Sequence, residues 1–271
     1  MKVIFCLTTA RSGTEYLTYL FRNNIKNCVS KHEPIPTMFG KPIYWYYEGK
    51  TDEIRKVFKK KVEKIYGYNT KVYVETNHAF LLSFSDVAME FFPEMKLIHL
   101  IRDPLKMAKS GLNRFKQIRK YHFPCYYKGD DGRKYFKWIL TGKEDIFKNF
   151  NYDWKTIYYL KDERKIFEFL ILYWIELENR AIAFLDKYKK HNDCYTLQVP
   201  EDLNDVKTLK DMFDFFELEL KQEYIDLRGR KHKGAKPTIV TKDDKNQLDE
   251  ILKKNTTKIF TNISKETLCR F

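Results

Sequence analysis

A three-layer α/β fold, with a central and mostly parallel sheet between helices, is the architecture this sequence predicts, and three observations predict it. Short β-branched and apolar runs alternate along the chain with longer stretches of helical period. Strands separated by helices are joined by right-handed crossovers, which makes the sheet parallel. A chain of 271 residues, 43% hydrophobic, can bury one large core. No repeat, Gly/Ser linker or low-complexity block marks an interior boundary, so residues 1–271 are expected to form a single domain.

Val3 to Leu7 reads as the first buried strand, and Thr14 to Phe21 as a helix with Tyr16, Leu17, Leu20 and Phe21 on one face. Cys28 to Ser30 is a second short strand leading into the polar turn Lys31-His32-Glu33-Pro34. A charged helix near Thr51 to Tyr66 precedes a third strand at Lys71 to Glu75, and a helix from Leu81 to Phe92 follows. Lys96 to Ile101 is the fourth strand, with Pro104 placed to open the next helix, where its missing N–H is not needed. A helix from about Arg164 to Lys189, a strand at Tyr195 to Val199 and a helix from about Asp205 to Phe216 complete the alternation. Phe115 to about Asp162 breaks it. This segment is rich in Tyr, Lys, Phe and Trp, is interrupted by Gly129, Gly132 and Gly142, and has no clear period. Such an insertion predicts either a binding lid or an extra helical subregion.

Composition narrows the chemistry. The net charge of +14 attracts phosphates, sulfates, nucleic acids or acidic glycans, although stretches such as Arg55 to Lys64 also fit a solvated helix face. Cys6, Cys28, Cys125, Cys194 and Cys269 are odd in number and lack CxxC spacing, which predicts a reducing, cytoplasmic compartment and neither a disulfide framework nor a zinc site. The apolar start Val3 to Leu7 is too short for a signal sequence, and no run approaches the roughly 20 apolar residues of a membrane span.

In open α/β sheets, ligands bind at the carboxyl ends of strands. Thr8-Thr9-Ala10-Arg11-Ser12-Gly13-Thr14 lies at such an end, between the first strand and the first helix, with Glu15 and Tyr16 opening the helix. Amides at a helix start form an anion cradle, Gly13 permits close approach, Arg11 adds a cation, and Ser12 and Thr14 add hydroxyls. A Ser or Thr there also serves as a purely structural cap. The Walker pattern GxxxxGK[ST] is absent, which counts against a Mg-nucleotide kinase. Arg102 closes the fourth strand, and Ser110 follows two helical turns later, so both can grip one phosphate unless Arg102 merely pairs with Asp103. Two anion sites on neighbouring turns suit a ligand with two separated phosphate groups.

On these residues the sequence resembles the sulfotransferase family. Thr9-Ala10-Arg11-Ser12-Gly13-Thr14 with Leu17 looks like its 5′-phosphosulfate loop, in the "RSGT" form of bacterial and carbohydrate-acting members. Leu97 to Pro104 with Ser110 looks like its 3′-phosphate motif. Tyr173-Trp174 through Leu185, the stretch Tyr195 to Leu203 and then Leu209 to Leu218 are similar to its late helix, its "YEDL" strand end and its "FLGL" helix. The resemblance implies a P-loop-NTPase-like sulfotransferase fold and 3′-phosphoadenosine 5′-phosphosulfate as cosubstrate, with no metal. It also implies an acceptor hydroxyl or amine on a glycan, glycolipid or specialised metabolite, acidic ones included. The family's late basic loop has its nearest counterpart at Arg228 to Gly234, where Arg230, Lys231 and Lys233 are alternative 3′-phosphate ligands. Glu75-Thr76-Asn77-His78 lacks the Lys and Pro of the family's "EK(S/T)P" motif.

Sulfuryl transfer needs a base, and positive charge such as Arg11 to steady the leaving phosphate. Glu33 is the first candidate for the base, since relatives carry a catalytic Glu just past the second strand. His32 and His78 are the alternatives, because an imidazole titrates near neutral pH. His99, inside an apolar strand, reads as a satisfied core histidine, and Trp174 as core. His122 and His191 have no partner suggested by spacing, while Tyr126, Tyr127 and Trp138 fit either acceptor contact or packing. The rival readings are a P-loop small-molecule or nucleoside kinase and a nucleic-acid binder; spread basic residues and the lack of a recognition motif weigh against the latter, and no nucleic-acid partner is expected.

Overall fold

The computed structural model describes residues 1–120, 125–150, 162–229 and 239–254. In chain order its elements are β1 (Lys2–Thr8), α1 (Thr14–Asn24), β2 (Cys28–His32), α2 (Lys41–Tyr47), α3 (Thr51–Gly67), β3 (Val72–Thr76), α4 (Ser85–Phe91), β4 (Lys96–Arg102) and α5 (Pro104–Lys120). They continue with β5 (Tyr126–Lys128), β6 (Lys134–Phe136), α6 (Glu163–Tyr188), β7 (Cys194–Val199), α7 (Val206–Phe215) and α8 (Lys242–Lys254). Five parallel strands form the sheet in the order β2-β3-β1-β4-β7. The three-layer arrangement is as the alternation predicts. Val3, Phe5 and Leu7 of β1 face a core shared with α2 to α6 and α8, while Ile4 and Cys6 face a second core built with α1 and α7. Alternate residues of one strand thus serve opposite layers, which is why β1 reads as unbroken apolar sequence.

This strand order places the carboxyl ends of β1, β3 and β4 side by side. From β1 the chain crosses through α1 to the β2 edge, and from β3 it returns past β1 to β4. The reversal opens a crevice at the end of β1. Register brings Thr8 beside Leu100, His32 beside Thr76, and Arg102 beside Val199.

Several elements differ from the sequence reading. The helix expected from Leu81 begins instead as a π turn over Phe80–Phe84 before α4. Asn77 accepts from the amide of Ala79, and the hydroxyl of Ser83 donates to the carbonyls of Met38 and Ala79, so side chains hold the irregular turn. Residues Phe115 to Lys120 belong to α5, because Phe115 and Ile118 continue its buried face and Phe115 stacks on Phe136 at 4.9 Å. The remaining described part of the insertion is an antiparallel β5–β6 hairpin and a 3-10 turn at Asp145–Phe150. Helices α2 and α8 stand where the sequence reading assigns no element. Gly111 lets α5 lie against α6, since a Cβ there would meet Leu170 at 2.9 Å. Among the described residues no helix is long and apolar enough to cross a membrane.

Candidate active site

The loop after β1 turns through two left-handed residues, Arg11 at φ 67° and Gly13 at φ 79°. Gly13 is required twice over: its φ suits glycine, and a Cβ would come within 2.9 Å of Leu203 and 3.3 Å of Val199. Gly13 also stands at the N-cap of α1, where no side chain caps the helix, so its first amides keep the positive end expected of an anion cradle. Ser12 is buried and its hydroxyl pairs with that of Thr9 at 2.9 Å. Thr14 is buried as well, and its carbonyl accepts from the hydroxyl of Thr18. Glu15 is exposed, and the Tyr16 hydroxyl donates to the carbonyl of Leu227 at 3.0 Å, so Tyr16 tethers the late chain to α1.

Two arginines converge beside this loop. Arg11 Nε donates to Ser110 Oγ at 3.1 Å, so the serine expected to act with Arg102 engages Arg11 in the protein by itself. The reason is helical: Ser110 faces the β1 loop from α5, with Arg114 one turn further on the same side. Arg102 Nη1 donates to the carbonyl of Arg11, while its Nε is buried with no hydrogen-bond partner. Asp103 does not pair with it; Asp103 Oδ1 accepts from the amides of Leu105 and Lys106 at 2.8 and 3.1 Å and caps α5. Among the described residues neither Arg11, Arg102 nor Arg114 forms an ion pair. Burial, and then the charge of Arg114, lower the pKa of Arg11; burial, and then Arg11, lower that of Arg102. A buried donor without a partner, beside the like charge of Arg11, is what an anion would satisfy.

The three candidate bases form one cluster. Because β2 and β3 run in register, His32, Glu33 and His78 emerge together. Glu33 Oε1 lies 2.9 Å from Nδ1 of His78 and 3.7 Å from Nε2 of His32. Nε2 of His78 lies 3.3 Å from the carbonyl of Trp138, so a protonated His78 can donate to both acceptors. Nδ1 of His32 sits 3.0 Å from the carbonyl of Thr76. Burial works against the Glu33 carboxylate, but the hydrogen bond and charge of His78, and then His32, outweigh it and hold its pKa below the ordinary value of 4.5. Glu33 itself has φ 46°, a left-handed conformation uncommon for a residue with a Cβ.

Helix α6 connects these groups. The hydroxyl of buried Tyr173 accepts from the amide of Ala10 at 3.4 Å; burial raises its pKa, the Ala10 bond opposes this, and the charge of Glu33 adds a smaller rise. Trp174, a core residue as expected, also donates from Nε1 to the carbonyl of Arg102 at 3.0 Å. His99 is the satisfied core histidine the sequence predicts, 2.9 Å from Glu178, and His191 lies 2.7 Å from Asp186. Tyr127 has a buried hydroxyl with no partner, and Tyr126 is exposed in the hairpin. Arg230, Lys231, Lys233 and His122 lie outside the described residues. Sequence reasoning passed over Tyr173 and Arg114, though Arg114 stands four residues after Ser110, the spacing of one helix face.

The sequence matches no protein-family model and no curated protein. In three dimensions the chain is similar to a sulfotransferase from Alicyclobacillus acidocaldarius, with a TM-score of 0.50 and 12% identity over 96% of this chain and 94% of that one. It is also similar to the sulfotransferase domain from the curacin biosynthetic pathway, with a TM-score of 0.50 and 11% identity over 85% of this chain and 78% of that one. The α/β fold of this chain, with its five-stranded parallel sheet, is therefore the fold found in sulfotransferases.

Proposed function

We propose that this chain is a sulfotransferase of the bacterial or carbohydrate-acting "RSGT" type, acting as one domain. It takes a sulfuryl group from 3′-phosphoadenosine 5′-phosphosulfate to a hydroxyl or amine of a glycan, glycolipid or specialised metabolite. One observation carries the reading: Arg11 and Arg102 converge at the ends of β1 and β4, neither forms an ion pair among the described residues, and Arg102 Nε is buried without an acceptor. These residues fit a nucleotide with charged groups at both its 5′ and 3′ positions. Arg11 and the amides from Ser12 to Thr14 would hold the 5′ side. Arg102 and Ser110, with Arg230, Lys231 or Lys233, would hold the 3′-phosphate.

The cosubstrate supplies a sulfuryl group attached to a phosphate leaving group. As the acceptor oxygen or nitrogen bonds to sulfur and the sulfur–oxygen bond to that phosphate breaks, Glu33 takes the acceptor proton and Arg11 steadies the departing charge. A carboxylate held below its ordinary pKa is ionised at neutral pH and ready to accept. His78 holds Glu33 in place and is the alternative base. No metal is required for this chemistry in principle. The free thiols of Cys6, Cys28 and Cys194 fit a reducing cytoplasm.

The test is selective stabilisation. Adenosine 3′,5′-bisphosphate should raise the melting temperature, while Mg-ATP and an oligonucleotide should not, because a ligand bound only by the native state shifts its apparent stability. Stabilisation by Mg-ATP alone would favour a kinase, and by the oligonucleotide alone a nucleic-acid binder.

A further inference from the structure

Behind Glu33 lies a group of charged and polar side chains that the proposed chemistry does not use. Lys61, on α3, and Glu75, on β3, are both fully buried, with Nζ and Oε1 2.8 Å apart. Glu75 also accepts from the hydroxyl of Tyr73 at 2.8 Å and from Nδ2 of Asn77 at 2.9 Å. Every further tie to backbone outside β3 and the turn after it runs to one place. Lys61 Nζ donates to the carbonyl of Pro34 at 3.1 Å, and Asn77 Nδ2 to the carbonyl of Thr37 at 3.1 Å. Both carbonyls belong to the segment immediately after Glu33. Lys64 adds a bond to the carbonyl of Ile35 from the surface.

A buried ion pair is a poor way to stabilise a fold, because desolvating two charges offsets most of their attraction, and apolar residues of similar size often do as well. What a fully bonded buried pair can do is specify one backbone arrangement. Here there is an arrangement to specify, since Glu33 sits at φ 46°, a conformation that persists only where its surroundings enforce it. Building on the reading of Glu33 as base, we infer that Lys61, Glu75 and Asn77 are positioning residues that fix the segment 34–37 and so hold the Glu33 carboxylate against His78.

The test uses the full chain carrying Lys61→Met with Glu75→Leu, which removes both charges together and leaves neither unpaired. A milder variant, Asn77→Leu, keeps the ion pair and loses only the tie to Thr37 and the bonds to Glu75 and Ala79. NMR titration of the Glu33 carboxyl is the readout independent of catalysis. In the double variant its pKa should rise toward the ordinary 4.5, with a smaller rise for Asn77→Leu. In turnover, kcat should fall about 10- to 100-fold, the scale of a misplaced catalytic group. KM for the cosubstrate and the affinity for adenosine 3′,5′-bisphosphate should hold. A carboxyl that titrates as in the wild type in both variants, or a nucleotide affinity that falls with kcat, overturns the inference. If the carboxyl responds as expected but Glu33→Gln turns over at the full rate, the positioning stands and the assignment of the base fails.

Discussion

Replacing Arg102 by Met separates binding from folding. In the free protein Arg102 contributes one hydrogen bond, from Nη1 to the carbonyl of Arg11, and leaves Nε buried and unpaired. That bond, from a charged donor, is worth about 1.5–3 kcal/mol, while an unpaired buried donor costs about 1–3 kcal/mol. Proximity to Arg11 lowers the arginine's pKa further, so its charge is disfavoured there before any anion arrives. The terms roughly cancel or favour Met, whose unbranched chain fills much of the same volume. Thermal unfolding should therefore stay within a few degrees of wild type or rise, about 2–4 °C corresponding to 1 kcal/mol at this chain length. Binding should behave oppositely. One or two charge-assisted hydrogen bonds are lost, about 2–4 kcal/mol together, which weakens adenosine 3′,5′-bisphosphate about 30- to 700-fold. Calorimetric titration and a melting curve on the same preparations decide the matter. Unchanged affinity, or an affinity loss matched by a large drop in melting temperature, would refute the claim that Arg102 waits for an anion.

Two further outcomes follow from the site. Gly13→Ala forces a Cβ against Leu203 and Val199 at φ 79°, so it should cost about 1–3 kcal/mol and lower the melting temperature by several degrees; an unchanged melting curve would show that the loop relaxes freely. In His78→Asn the bond and charge that depress the Glu33 pKa are gone while its burial remains, so that pKa rises. A depressed carboxylate stabilises the fold above its unfolded pKa and loses that contribution as pH falls through the folded one. Both the acid limb of kcat and the onset of acid unfolding should accordingly move to higher pH in the variant, and pH–rate and pH–melting profiles that superimpose on wild type would contradict this.

The strands were the legible part of the molecule. A strand buried on both faces announces itself, and β1, β3 and β4 lie within a residue or two of the spans their apolar runs suggest. The βα turn after β1 and the Arg ending β4 were readable because chemistry in such sheets concentrates at strand ends. Pairings across the fold were not. Sequence presents Glu33, His32 and His78 as rivals, whereas parallel register makes them neighbours, since His32 faces Thr76 and His78 is two residues on. Ser110 illustrates the same limit: its spacing from Arg102 is visible, but its partner, Arg11, lies 99 positions away along the chain. Lys61 was hidden for another reason, because a lysine among lysines on a charged helix reads as solvent-facing until its partner Glu75 is seen.

Tyr173 and Trp174 are consecutive residues of α6, yet one holds the amide of Ala10 and the other the carbonyl of Arg102. A single 26-residue rod, about 39 Å long, thus acts as a ruler between the two strand ends. Their separation is therefore fixed twice, by the register that lays β1 beside β4 and by two adjacent side chains of one helix, so neither loop can change it alone.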